Sequence, residues 1–359
     1  MIRKLYVIAS LIALPAFGLA QTTTETKPAE EKSSNFTFTG SVDGYFRSDF
    51  SKTASNNRTS FTNSNGKLAL GMLSAKVDYA SGKFSATADF GAGKRAKEFA
   101  YNDKGILAYV KQLNVAFAAT DWLKFTAGTW ATHVGYELVD AYANRNYSMS
   151  YMFSYGPFLH TGIKSDLTFG STGIMIGLSN PTDYRKSPAD SKKALLLQVS
   201  QAITDDIKLY VNYVGGQRPA DAAKIRQFDV VLTAKVSDQF NVGYNGTVNS
   251  TSIKNAAVYE DAQTWSGSAF YLNYDPAKKF GLTLRSEIFA DKNQLSALGA
   301  AAAGGNIFAN TVSGNIKLGG LTIIPELRFE SSNSKVFFNK DGAATQSNGS
   351  FLVAVAYKF

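Results

Sequence analysis

The strongest constraint on the fold of this chain is a period of two whose polar half carries charge. In "FDVVLTAKV", Phe228, Val230, Leu232, Ala234 and Val236 fall on one face, with Asp229, Val231, Thr233 and Lys235 on the other. "FNVGYNGTV" sets Phe240, Val242, Tyr244 and Val248 against Asn241, Asn245 and Thr247, and the terminal "FLVAVAYKF" puts Phe351, Val353, Val355, Tyr357 and Phe359 on one side. Successive side chains of a strand point to opposite faces, so each such segment predicts a strand with a single apolar face. Sixteen of these segments follow one another from 36–48 to 349–359, among them 107–119, 122–132, 159–169, 226–236, 239–249 and 264–275.

The connections between them alternate in length. Ser81-Gly82, Thr120-Asp121, Gly170-Ser171, Thr204-Asp205, Ser237-Asp238 and Gly319-Gly320 carry tight-turn chemistry, and a slightly longer link lies around Pro276. Every other connection runs from about ten to more than twenty residues. A soluble sandwich has no reason to lengthen every second loop, whereas a transmembrane barrel has short turns on one side, long loops on the other and an even strand number. The expected fold class is therefore all-β, a transmembrane antiparallel β-barrel of about 16 strands. Asp43, Arg47, Lys76, Lys124, Lys208, Lys235, Arg285, Glu287, Glu326 and Arg328 fall on polar faces. In a sealed core each would cost several kcal/mol unpaired, so those faces are expected to line a lumen. Pro325 removes a ladder donor and predicts a local irregularity. Rings at strand ends, such as Tyr79, Phe84, Trp122, Tyr274, Phe280 and Phe359, fit an aromatic girdle at the membrane surface.

"MIRKLYVIASLIALPAFGLA" has a basic start, an apolar run from Leu5 to Phe17 and small residues at Gly18 and Ala20. Residues 1–20 read as a secretory signal peptide, since the apolar run is shorter than the roughly 20 residues of a spanning helix. Residues 21–35, "QTTTETKPAEEKSSN", are expected to be a disordered periplasmic tail, too short for a plug domain, and 36–359 the barrel. Formal net charge is +9, of which Arg3 and Lys4 leave with the signal. The remaining lysines and arginines form no run longer than two or three, and the chain is exported, so nucleic acid is not expected as a partner. Zero cysteines exclude disulfides and thiolate metal sites.

G-x-S-x-G, H-E-x-x-H, P-loop and G-x-G-x-x-G motifs are absent, and only His133 and His160 are available as imidazoles. Either could pair with Asp140 in a hydrolase, or both with Glu137 around a metal; hydrogen bonding at the base of a loop suits them better. No catalytic, cofactor-binding or metal residues are assigned, and no enzyme activity is expected.

The third long loop, "HVGYELVDAYANRNYSMSYMFSYGPFLHTG", holds Tyr136, Tyr142, Tyr147, Tyr151, Phe153, Tyr155 and Phe158 without strand-like alternation. So many rings need a surface to pack on, and the lumen wall offers one. Glu137 and Asp140 would bring negative charge to a pore constriction, with Arg145 answering on the loop and Arg47, Arg285 and Arg328 on the wall. Such a transverse field sorts solutes by charge and dipole. The alternative is a loop that caps the barrel or makes an oligomer contact. Sixteen strands leave a channel where eight would be filled by side chains. The expected function is thus passive diffusion of ions and small polar solutes; the alternatives are an adhesin or scaffold barrel with a closed lumen and a barrel hydrolase.

"GTWATHVGYELVDAYANRNYSMSYMFSYGPFLHTG", Gly128 to Gly162, resembles the signature block of the OmpL-like β-barrel porin family, through "THVGYE", "NRNYSMSYMFS" and "GPFLHTG". The block covers about a tenth of the chain. It departs from the family pattern at Arg145, where Trp is expected before Asn146-Tyr147. The resemblance implies a porin in the outer membrane of a Gram-negative-type bacterium, surrounded by outer-membrane lipid. Similarity to porins implies that the third loop folds into the lumen, and that the terminal Phe359 is read by the barrel-assembly machinery. A homo-oligomer is compatible with this, and no particular solute is implied.

Overall fold

The computed structural model describes residues 35–359. The expected signal peptide and all but the last residue of the expected tail fall outside the described residues, and Asn35 opens the first strand. Twenty strands follow in order: β1 (Asn35–Asp49), β2 (Lys67–Ser81), β3 (Phe84–Ala92), β4 (Val110–Ala118), β5 (Leu123–Ala131), β6 (Leu159–Phe169), β7 (Thr172–Ser179), β8 (Ala194–Ala202), β9 (Ile207–Gln217), β10 (Lys224–Lys235), β11 (Phe240–Ser252), β12 (Lys254–Asn255), β13 (Val258–Tyr259), β14 (Gln263–Ala277), β15 (Phe280–Asp291), β16 (Gly305–Leu318), β17 (Leu321–Ser332), β18 (Phe337–Phe338), β19 (Ala344–Thr345) and β20 (Ser347–Lys358). The pairs β12–β13 and β18–β19 are two-residue ribbons within long loops; the other strands form one closed antiparallel barrel, each beside its chain neighbour. β1 and β20 close it, in register from Ser41↔Lys358 to Asp49↔Ser350.

The burial pattern is inverted relative to a soluble protein. On β11, Phe240, Tyr244 and Val248 face out and are exposed, while Asn241, Asn245, Thr247 and Asn249 face in and are buried. β15 repeats this, with Leu282 and Ile288 outside and Thr283, Arg285 and Glu287 inside. An apolar outer face and a polar interior are what lipid outside and a polar lumen inside require. Rings pair across the short-turn ends, including Phe36 with Tyr79, Phe84 with Phe117, Trp122 with Phe169 and Phe240 with Tyr274.

Three strands carry bulges: β14 between Tyr274 and Ala277, and β4 and β2, where a charged residue, Lys111 or Asp43, sits at the bulge. The segment expected over 107–119 becomes a strand only at Val110, because Gly105–Tyr109 form a 3-10 turn and Lys111 bulges between the pairs Phe90↔Val110 and Asp89↔Gln112. β2 also bulges, so that Asp43 of β1 faces both Gly71 and Met72. Pro325 stays in register with Val353, but the ladder to β16 lapses between Ser313↔Glu326 and Ile316↔Ile323. The long loops carry two short helices, α1 (Lys94–Phe99) and α2 (Tyr151–Tyr155).

Candidate functional site

The third long loop, residues 132–158, leaves β5 and returns to β6, crossing the barrel in between. At its start the Gly135 N–H donates to Asp229 of β10 at 3.0 Å, and the Tyr136 ring stacks on Tyr271 of β14 at 4.1 Å. Further along, Arg145 grips Asp275 of β14 through both terminal nitrogens, at 2.9 and 2.8 Å. The Tyr147 N–H donates to Glu326 of β17 at 2.9 Å, and its hydroxyl to Asp43 of β1 at 2.5 Å. Tyr151 donates its N–H to Glu287 of β15 at 2.8 Å and its hydroxyl to Glu330 of β17 at 2.7 Å. One loop thus touches walls contributed by β1, β10, β14, β15 and β17.

Local sequence prepares the loop for this. Asn144 folds back on Leu138, accepting its N–H at 2.9 Å and donating to its carbonyl, which closes a tight turn around Ala141–Ala143. Ser150 caps α2 by accepting from the Phe153 N–H at 3.1 Å. What the segment lacks is a ladder, so its remaining backbone groups must find partners elsewhere. The wall supplies them. Arg285 donates to the Ser148 carbonyl at 2.7 Å and the Met149 carbonyl at 3.2 Å, and pairs with Glu137 at 2.5 Å. Arg328 also reaches the Met149 carbonyl, at 3.3 Å, and pairs with Glu287 and Glu330 at 3.0 Å each. Carboxylates receive the loop's N–H groups while guanidinium groups serve its carbonyls. Arg285 is 0% exposed and Glu137 5%, so these are desolvated charges whose partners cannot be removed cheaply.

Wall glycines make room for the loop side chains. A Cβ on Gly243 would lie 2.7 Å from the Tyr136 ring, one on Gly267 2.3 Å from Met152, and one on Gly71 2.6 Å from the Tyr147 hydroxyl. Contacts this short are excluded, so each glycine permits a close approach rather than a turn.

A second set of contacts holds the loop from the side of the long loops. Arg95 of α1 donates to the Val139 and Tyr147 carbonyls at 3.2 and 3.3 Å and lies over the Tyr147 ring at 4.6 Å. Burial above all, with the Asp43 carboxylate adding to it, holds the Tyr147 phenol above its usual range. At the return to β6, Asp183 accepts the N–H groups of Phe158 and Leu159 at 2.7 and 2.9 Å and the Tyr101 hydroxyl at 2.9 Å. Burial raises its carboxyl to about 6 against these donors. At the other end burial lowers His133 to about 4, although the Tyr213 carbonyl favours its proton.

The residues expected at a constriction divide between these contacts. Glu137 and Arg285 meet each other; Arg328 stands beside the Tyr151 ring, 5.1 Å away. Asp140 pairs with Lys111 at 2.6 Å, and Arg145 with Asp275 rather than with a loop carboxylate. Arg47 pairs with Asp49 at 3.3 Å on its own strand. Asp140 and Arg145 keep 18% and 21% of their side chains accessible, whereas the other four are almost fully enclosed. His133 and His160 lie 5.2 Å apart with their rings tilted by 44°, and His160 contacts Thr132 at 3.1 Å. The His133 ring contacts the Tyr213 carbonyl at 3.3 Å, and no group of three or more metal-ligating side chains occurs among the described residues. Sequence reasoning missed Arg95, Lys111 and the three glycines. An isolated Gly within an alternating strand marks a close approach and was a usable signal; nothing in the sequence singled out Arg95.

Known proteins resemble this arrangement in sequence and in fold. The family described as "Putative beta-barrel porin-2, OmpL-like" matches residues 35–359. No curated protein matches the sequence. Among solved structures, OmpT of Vibrio cholerae superposes with a TM-score of 0.58 at 12% identity, covering 93% of this chain and 100% of its own. The outer membrane channel DcaP of Acinetobacter baumannii gives 0.61 at 12% identity, over 91% of this chain and 97% of that one. An anion-selective porin from Comamonas acidovorans gives 0.58 at 10% identity, over 91% and 100%. At such identities the likeness is one of fold.

Proposed function

The chain belongs to the OmpL-like β-barrel porin family and is a porin of the Gram-negative outer membrane, and from that premise we propose that it passes ions and small polar solutes passively beneath and around its third loop. The observation that supports this is the loop itself, fastened across a closed barrel by wall charges as well as by apolar packing of Tyr147, Tyr151 and Met152 on the wall. Glu137, Arg285 and Arg328 hold the loop in place. Asp140 and Arg145, at its accessible edges, meet the solute, and Arg47 with Asp49 adds charge to the wall. No covalent step and no cofactor is involved. Export through a signal over residues 1–20, insertion by the barrel-assembly machinery through Phe359 and assembly into a homo-oligomer complete the proposal.

Planar-bilayer recording from the refolded, heat-modifiable protein tests it. Stable conductance steps are expected. A folded barrel that inserts and stays silent would instead favour a scaffold with a closed lumen, the reading to which the enclosed Tyr147, Met149 and Tyr151 lend weight.

A further inference from the structure

Towards the short turns the lumen wall changes in character. Lys124 of β5, Lys164 of β6, Lys208 of β9, Lys235 of β10, Lys317 of β16 and Lys358 of β20 occupy inward positions, alternating with lipid-facing neighbours such as Phe125, Ile163, Ile316 and Tyr357. All lie within about five residues of a short turn or of the C-terminus, a distance of about 17 Å along a strand. Because their strands are spread around the closed barrel, the lysines form a belt rather than a patch.

Fewer carboxylates face the same space, and each is already engaged. Asp166 is shared by Lys164 at 3.1 Å and Lys124 at 3.8 Å; Asp275 by Arg145 at 2.8 Å and Lys317 at 3.5 Å; Asp78 pairs with Lys76 at 2.9 Å. Lys208 and Lys358 have no ion pair among the described residues, and the Lys358 ammonium stands 4.9 Å from the Tyr142 ring of the loop. The turns beneath carry both signs, with Asp121, Asp205, Asp206 and Asp238 against Lys83, Lys278 and Lys279, and Asp238 pairs with Lys235 of the belt at 2.8 Å. The side chains of Lys124, Lys164 and Lys317 remain 28%, 21% and 37% accessible, so water reaches these charges. The acidic groups deeper in the barrel differ. Asp43, Asp229, Glu287 and Glu326 are at most 5% exposed and accept hydrogen bonds from the loop or the wall. A hydrated ion in the lumen therefore meets ammonium groups, while most of the carboxylate charge lies behind the loop.

We propose that this lysine belt makes the pore anion-selective, favouring small inorganic anions and short carboxylates over cations of the same size. The inference rests on the channel reading above and adds the sign of the selectivity. The Debye length is about 10 Å at 0.1 M salt and about 3 Å at 1 M, so the belt governs the lumen at low salt and is screened at high salt.

The test is the reversal potential of the wild-type protein in a KCl gradient, beside a variant carrying Lys124→Gln, Lys208→Gln, Lys317→Gln and Lys358→Gln. Lys164 and Arg145 remain in that variant to neutralise Asp166 and Asp275. The expected wild-type chloride-to-potassium permeability ratio is roughly threefold or more at 0.1 M, falling towards unity at 1 M. In the variant it falls at least by half at 0.1 M, with heat-modifiable mobility unchanged. A wild-type reversal potential of the cation sign overturns the proposal even if the variant does not fold, as does an unaltered ratio in a conducting variant. Complete absence of steps overturns the channel reading, and the selectivity with it.

Discussion

Arg285 and Lys124 both point into the barrel, yet water reaches only the lysine. Arg285 is enclosed by Glu137, the Ser148 and Met149 carbonyls and Thr311, with 0% of its side chain exposed. Lys124 stands 3.8 Å from Asp166 with 28% of its side chain exposed. The same kind of alternation placed them, and distance from the loop separates their roles. Where the loop crosses, wall charge is spent on backbone groups and holds structure; where it does not, wall charge stays hydrated and is left to act on solutes.

The largest effect expected from breaking this contrast is that of Arg285→Ala. It removes the guanidinium that pairs with Glu137 and serves the Ser148 carbonyl, at a cost of about 3–5 kcal/mol, while Arg328 still holds Glu287 and the Met149 carbonyl, and the loop should loosen from β15. Single-channel conductance should rise several-fold, and liposome swelling should admit larger sugars. A conductance equal to wild type would show that the other anchors hold the loop unaided. Gly243→Val comes next: its side chain collides with Tyr136, at about 1–3 kcal/mol, and should loosen the loop's first anchor without altering any charge. Current noise should increase while the reversal potential stays unchanged, because only packing has been altered.

Acid should act in opposite directions at the two ends of the loop. The folded Asp183 carboxyl, at about 6, lies above its ordinary 3.8, so its contribution is fully present below 3.8 and is lost as pH rises through 6. His133, at about 4 against an ordinary 6.5, contributes stability above 6.5 that is lost as pH falls towards 4. Each is worth about 1.4 kcal/mol per unit of pKa shift as an upper limit. The protection of the Phe158 and Leu159 amides, that is their exchange relative to the intrinsic rate at each pH, should therefore rise between pH 7 and 5, and Asp183→Asn should abolish that rise. The smallest effect is that of Lys124→Gln on stability, within about 0.5 kcal/mol by thermal unfolding, since it removes only a solvated pair. A loss comparable to that of Arg285→Ala would erase the distinction between the loop-anchoring charges and the hydrated lysine belt.

Much of this was legible in the residues, though unevenly. The strands over 159–169 and 172–179 were read at their observed bounds, because alternation and tight turns are local signals. The start of β4 was read three residues early, because "GILAY" alternates much as a strand does while Gly105 takes a positive φ of 61° and starts a turn. Glu137, Arg285 and Arg328 could be named as charges of one neighbourhood, but their partners could not. Arg145 faced Asp275, 130 residues away, and Asp140 faced a bulged lysine.

The sequence by itself determined the barrel, its strand number, its inside and outside, and which loop was too aromatic to remain in water. Those properties follow from periods of two and from turn chemistry, which act over a few residues. Only the tertiary structure decided which wall charges are buried against the loop and which stay wet. Burial depends on where a loop with no ladder of its own finds hydrogen-bond partners, and closing the barrel brings those partners together from β1, β10, β14, β15 and β17, far apart in the chain.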